Sequence, residues 1–313
     1  MNISSWHMNR RTFILGTGAF AAGIALAPGR LLSAAAAPDP IRRTIPVTGE
    51  QLPVMGMGTS RTFDAGDSAA VLNDLADVMH AFFDHGGTLI DTSPMYGRAE
   101  SVVGRLLVAT GRQEVVFAAT KVWTDGRENG MRQMAQSFER IGVATMDLMQ
   151  IHNLRDWQTH LPVLREWRQQ GRIRYIGITT SHGRGHAELE GLLRTEPFDF
   201  VQFSYNLQDR TVEERLLPLA ADRGIAVLIN RPFQRGDLFR KTRGTPLPEW
   251  SAEFDARSWG QFFLKFVIAH PAVTCVIPAT SKAHHMLDNM AAGFGRLPDG
   301  AMRRRMVEYI AKL

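Results

Sequence analysis

With 313 residues and 44% hydrophobic side chains, the chain can build one large α/β domain or two small ones, and general disorder is excluded. Its single cysteine, Cys275, excludes an internal disulfide framework, and with no CxxC or paired Cys/His spacing no metal site is expected. The formal net charge of +5 includes three arginines within residues 1–37; without them it is +2, which gives no basis for nucleic-acid binding.

Residues 1–37 read as a targeting segment. Asn9-Arg10-Arg11-Thr12-Phe13-Ile14-Leu15 resembles the twin-arginine export motif, an apolar stretch at 13–27 follows, and small residues at 33–37 offer cleavage sites before Pro38. The resemblance implies the twin-arginine machinery as a partner, periplasmic delivery, and folding before export. The apolar stretch is too short and too rich in Gly and Ala for a stable membrane span once cleaved; an uncleaved anchor is the other reading.

The mature domain is expected at 38–313. A hairpin spans 43–53, turning at Thr48-Gly49. Eight short β-rich runs follow at 54–58, 88–91, 115–119, 146–151, 173–178, 200–203, 226–229 and 274–277. Amphipathic helical patterns fall between and after them at 68–85, 99–109, 130–141, 159–170, 186–194, 212–223, 258–269 and 282–291, and a last one covers 299–312. Eight alternating units predict a closed parallel (β/α)8 barrel of the TIM type, with an N-terminal β-hairpin and a C-terminal helix. An open Rossmann sheet is disfavoured, because no GxGxxG follows the first strand.

In such a barrel, strand ends and the loops after them build the site. Asp91 closes the second strand, Tyr96 lies in the loop beyond it, Lys121 follows the third strand and His152 the fourth. Lys121 is the only lysine in the first 240 residues of an Arg-rich chain, so an ammonium is needed there that a guanidinium cannot replace. A free phenol titrates at about 10, too high for a good proton donor near neutrality. Lys121 is expected to lower that value for Tyr96, Asp91 to anchor Lys121, and His152 to orient a carbonyl oxygen or relay the proton. Phe63, Trp123, Trp157 and Trp250, with Met95, fall in rim loops and suggest an aromatic-lined substrate pocket.

These residues sit in motifs that resemble the aldo-keto reductase family over roughly residues 42–295. They are the Asp-Thr-x-x-x-Tyr-Gly-x-x-Glu run from Asp91 to Glu100, Ala119-Thr120-Lys121, Gln150-Ile151-His152 and the stretch from Ile277-Pro278 to Asn289. The resemblance implies Asp91, Tyr96, Lys121 and His152 as the catalytic set, with Tyr96 as general acid, and a nicotinamide cofactor, NADP rather than NAD, over the barrel mouth. It implies that Thr179, Thr180, Ser181 and Gln202 hold the nicotinamide amide. Asn230 falls where the family places a stacking aromatic, and Arg231, Pro232, Phe233, Gly236 and Leu238 fall around the pyrophosphate. Thr280, Ser281, Lys282, His285 and Asn289 fall at the adenosine and its phosphate. The implied activity is reduction of aldehydes or ketones to alcohols; a mainly oxidative sugar or alcohol dehydrogenase and a cofactor-bound sensor with little turnover are the other readings.

Overall fold

The computed structural model describes residues 39–313; the segment carrying Arg10 and Arg11 lies outside them. Strands β1 (Arg42–Thr44) and β2 (Gln51–Pro53) form an antiparallel hairpin, with Thr44 opposite Gln51. Eight parallel strands follow: β3 (Met57–Gly58), β4 (Leu89–Asp91), β5 (Phe117–Val122), β6 (Met146–Ile151), β7 (Ile173–Thr179), β8 (Phe200–Ser204), β9 (Ala226–Asn230) and β10 (Cys275–Val276). Each pairs with its sequence neighbour. A bridge from Met55 to Val276, with Gly58 N–H donating to Pro278 O at 3.0 Å, joins the last strand to the first and closes the barrel. This is the (β/α)8 architecture that the alternation of patterns predicts.

Helices α1 (Ala69–Asp84), α2 (Ala99–Thr110), α3 (Arg127–Ile141), α4 (Trp157–Gln169), α5 (His186–Thr195), α6 (Leu216–Asp222), α8 (Trp259–Ile268) and α9 (Ala283–Ala291) cover the outside. The short α7 (Asp237–Lys241) and a 3-10 turn at Glu249–Phe254 order the long 231–257 connection. The last helix, α10 (Gly300–Lys312), starts at Asp299, whose carboxylate accepts the Met302 N–H at 2.8 Å, and buries Met306 and Ile310. No helix among the described residues is long and apolar enough to cross a membrane.

Beyond small shifts of element ends, such as β3 at Met57–Gly58 and α3 at Arg127–Ile141, two differences from expectation have a plain physical reason. The 212–223 pattern is a 3-10 turn at Thr211–Glu213 followed by α6, because Pro218 has no N–H to donate and fits only within the first turn of a helix. The third barrel strand runs to Val122 rather than 119, because the ladder to β6 continues through Lys121–Gln150 and Val122–Ile151. Lys121 therefore lies inside a strand rather than just after one.

The hairpin seals the bottom. Ile45 and Leu52 pack with Leu89, Phe117, Leu148, Tyr175 and Phe200 inside the barrel. Glu50 accepts the Tyr175 hydroxyl at 2.6 Å and pairs with Arg174. The end left open is the one at the C-terminal ends of the strands.

Candidate active site

Side chains along a strand alternate between the barrel interior and the helix layer. Counted in twos from the buried interior residues, Leu89 leads to Asp91, Phe117 and Ala119 lead to Lys121, Leu148 to Gln150, Phe200 to Gln202, and Ala226 and Leu228 to Asn230. The lower members are apolar and the upper ones polar, so one periodicity builds both the core and a polar ring at the throat.

Asp91 is the hub of that ring. Lys121 Nζ donates to Asp91 Oδ2 at 2.6 Å and to Thr92 O at 2.7 Å, with both charged side chains buried. Asp91 Oδ1 accepts from Gln150 Nε2 at 2.9 Å and from Gln202 Nε2 at 3.0 Å. The ammonium lies 5.1 Å from the centre of the Tyr96 ring. Burial disfavours it, but the Asp91 carboxylate and the Tyr96 phenol outweigh burial, and the Lys121 pKa is raised.

Tyr96 departs from expectation. Burial pushes its phenol above the ordinary value, and Lys121 limits that rise without reversing it, while Asp91 adds to it. His152 begins a 3-10 turn directly after β6, with its ring edge-on to Tyr96 at 5.9 Å. Burial, aided by the Lys121 charge, lowers its pKa to about 3, so the imidazole is neutral. Its Nδ1 meets Ser93 Oγ at 3.1 Å, and the same Oγ accepts the Met95 N–H at 3.2 Å.

The loop carrying Tyr96 is held from below. Glu100, at the buried start of α2, accepts from the Thr120 hydroxyl at 2.7 Å and from Arg140 at 3.2 Å, tying the helix to the strand that bears Lys121. At Gly97, with φ of 61°, a Cβ would come within 2.3 Å of the Asp64 carboxylate, so glycine is required there.

Above the ring opens a cavity of about 680 Å³, lined by Asp91, Tyr96, His152, Thr179, Thr180, Ser181, Gln202, Asn230, Arg231, Pro232, Phe233 and Gly236 among others. Five non-glycine residues on its wall hold left-handed backbone: Arg61 at φ 67°, Asn153 at 55°, His182 at 64°, Arg231 at 53° and Arg235 at 56°. Each such residue costs on the order of 1 kcal/mol, which the surroundings must offset. For Arg231 part of the offset is buried Asn206, whose amide donates to Arg231 O at 3.1 Å and to Gln234 Oε1 at 3.2 Å. Burial and the nearby Arg235 guanidinium lower the Arg231 pKa to about 10, still charged at neutrality.

Sequence reasoning missed Arg61, Arg184 and Arg235, which line the cavity with Arg231. Among the described residues none of the four has a carboxylate partner. Their number in an Arg-rich chain gave no signal; position in rim loops was the one cue available. Gln150 was quoted only as part of a motif, although period-two counting from Leu148 would have found it.

The other anticipated positions are distributed as follows. Thr179 Oγ1 accepts the Asn153 N–H at 3.1 Å, and Thr180 Oγ1 is buried without a hydrogen-bond partner. Asn230 offers no stacking face: it donates to Gln202 Oε1 at 3.2 Å and Thr180 O at 3.1 Å and accepts from Ser204 at 2.7 Å. Leu238 is buried beneath the loop at the start of α7. Thr280, Ser281, Lys282, His285 and Asn289 lie beyond the cavity, whose wall ends at Ile277 and Ala279. Lys282 reaches Asp74 on α1 at 3.1 Å, His285 is exposed against His284, and Asn289 is buried.

The aromatic pocket requires correction. Phe63 is fully buried in the core, and Trp157 is half-buried at the start of α4. Trp250 packs on Phe254, Phe262 and Tyr309, because its loop folds outward to cover the aromatic faces of α8 and α10 rather than inward over the mouth. Trp123 comes nearest the site, 6.4 Å from the His152 ring with Arg155 stacked on it. Apolar lining comes instead from Met95, Phe233 and Phe239.

A closed barrel whose one open mouth gathers a phenol, a buried ammonium, its carboxylate and a neutral imidazole defines a barrel enzyme. The chain belongs to the aldo/keto reductase family, whose model matches residues 54–305. It is similar to "Aldo-keto reductase YhdN" of Bacillus subtilis, 29% identical over 184 residues that make up 53% of this chain and 54% of that protein. To "Methylglyoxal reductase YeaE" of Escherichia coli it is 29% identical over 240 residues, 74% of this chain and 83% of that one. The fold also matches an aldo/keto reductase from Klebsiella pneumoniae in complex with NADP and acetate, with a TM-score of 0.71 and 24% identity over 84% of this chain and 93% of that one.

The neutral His152 has a consequence for stability. An unfolded histidine protonates near 6.5 and the folded one only near 3, so its contribution is complete above about pH 6.5 and is lost as pH falls. Urea unfolding at pH 7 and pH 5 should show the parent losing about 2 kcal/mol more than His152→Asn. Equal losses would contradict a buried neutral imidazole.

Proposed function

We propose that the chain reduces small aldehyde or ketone carbonyls to alcohols with NADPH, and that it does so in the periplasm after export. The observation that carries the reading is the Lys121 ammonium, fixed 2.6 Å from Asp91 and 5.1 Å from the Tyr96 ring centre at the base of the cavity.

The cavity wall fits a nicotinamide dinucleotide. The orphaned Thr180 hydroxyl, beside Gln202, suits the carboxamide. Arg231, just after β9, and Arg235, on the left-handed turn Gln234–Gly236, suit the pyrophosphate. Lys282 and His285, at the start of α9, suit a 2′-phosphate and favour NADP over NAD, with Lys282 exchanging Asp74 for that phosphate. The bound cofactor supplies the hydride for the carbonyl carbon.

The chain's own residues handle the oxygen. Tyr96, with its raised pKa, carries its proton at neutral pH but is a weaker acid than a free phenol, so the transfer depends on stabilising the phenolate. As its proton moves to the carbonyl oxygen, the ammonium of Lys121 stabilises the phenolate that forms, an interaction stronger after transfer than before it. Asp91 keeps that ammonium charged and in place. His152 is neutral, and the tautomer in which Ser93 Oγ donates to Nδ1 leaves its proton on Nε2, where it can hold the same carbonyl oxygen. The Escherichia coli relative's name makes methylglyoxal a natural member of the substrate panel.

Purified protein of residues 38–313 should oxidise NADPH in the presence of methylglyoxal and aromatic aldehydes. Tyr96→Phe should lose about a hundredfold or more in kcat while still quenching NADPH fluorescence on binding. Equal rates for the two proteins would sink the role of Tyr96.

Export rests on the Arg10-Arg11 motif and the apolar stretch that follows it. Replacing Arg10 and Arg11 together by lysine should leave the protein in the cytoplasm on cell fractionation; undiminished periplasmic recovery would overturn the export reading.

A further inference from the structure

Gln150 touches the reaction only through others, and the structure gives it more support than a space-filling side chain needs. It lies two residues before His152 on β6, fully buried, below the cavity wall and not part of it. Both amide donors and the amide oxygen are engaged. Nε2 donates to Asp91 Oδ1 at 2.9 Å and to Thr120 O at 3.5 Å, and Oε1 accepts from Gln202 Nε2 at 3.1 Å.

The barrel makes room for it. In register beside Gln150 on β7 stands Gly177, where a Cβ would come within 2.8 Å of Gln150 Cγ. Glycine weakens a strand, so this position gives up a side chain to admit the amide.

The carboxylate of Asp91 needs orienting, because the terminal torsion of Asp is soft and broad. Lys121 takes Oδ2; Gln150 and Gln202 take Oδ1. Gln202 also accepts from Asn230 and lines the cavity, where a ligand can draw it away. Gln150 faces no cavity, so its hold on Oδ1 persists when the mouth is filled.

We propose that Gln150 is a positioning residue for proton transfer: its amide fixes the plane of the Asp91 carboxylate and so the place of the Lys121 ammonium beside Tyr96. Its N–H also offsets part of the Asp91 charge. The charged and titratable groups facing Tyr96 are Lys121, Asp91, His152 and Arg231, so a change at Oδ1 is felt at the phenol through Asp91 and Lys121. With the amide gone, the less compensated carboxylate raises the Tyr96 pKa.

The inference rests on the reductase reading, and the test separates the two. NADPH oxidation with a fixed aldehyde is followed from pH 5 to about 11.5, beyond the ordinary phenol value of about 10, for the parent, Gln150→Met and Gln150→Glu. Gln150→Met, close in volume but without donors, should lose about tenfold in kcat with a smaller change in KM for NADPH, and its alkaline limb should move upward. Gln150→Glu should keep most activity at acid pH, where its carboxyl is protonated and still donates to Oδ1. It should lose activity as it ionises against Asp91, a signature no space-filling role produces.

A Gln150→Met protein with the parent's kcat and pH profile would overturn the inference. If Gln150→Met does not fold, a Gln150→Glu profile parallel to the parent's overturns it equally. A parent that leaves NADPH untouched would remove the reductase reading and this inference with it.

Discussion

The site depends on one buried ion pair. Taking Lys121 and Asp91 out of water costs several kcal/mol per ion, a penalty their mutual attraction offsets only with good geometry and with the remaining donors and acceptors satisfied. Every visible feature of the throat meets that condition. Thr92 O takes a second ammonium proton, and two glutamine amides take the far carboxylate oxygen. Well-packed apolar pairs of the same volume often stabilise a protein interior as well or better, so stability alone does not account for the pair. In the proposed mechanism the charge is kept for what it does to Tyr96.

Charge and backbone strain meet at the rim in the same way. Arg61, Arg231 and Arg235 each combine a left-handed backbone with a guanidinium on the cavity wall and no carboxylate partner among the described residues. Such strain and self-repulsion persist only where the surroundings over-determine them, as Asn206 does for Arg231. The result is a mouth lined with positive charge above a floor built on one buried ion pair. The two are joined through Gln202, which reaches Asp91 on one side and Asn230 on the other.

The fold was readable because period-two and period-3.6 patterns alternate eight times, and barrel closure needs little beyond that count. Asp91, Tyr96, Lys121 and His152 were readable because each sits at or near a strand end, where topology alone brings it to the mouth. What failed was whatever depends on loop direction. Trp250 and Phe63 looked like pocket residues from their loops, yet burial of aromatic surface against α8, α10 and the core drew them elsewhere. The net direction of the Tyr96 pKa was also beyond the sequence, since it is set by a competition between burial and Lys121 that spacing does not encode. Asn230 shows the reverse case. As a replacement for a stacking ring it looked like a loss, and in the structure it links Thr180, Gln202 and Ser204.

The Lys121 ammonium restrains the rise of the Tyr96 pKa and, in the proposed mechanism, stabilises its phenolate. The most direct measurement is the pH dependence of carbonyl reduction by Lys121→Met beside the parent. We expect a kcat lower by about a hundredfold or more, and a surviving alkaline limb moved upward, because the one nearby charge that lowers the phenol most has gone. A variant with reduced activity and an unmoved alkaline limb would contradict it and leave Lys121 a structural partner of Asp91.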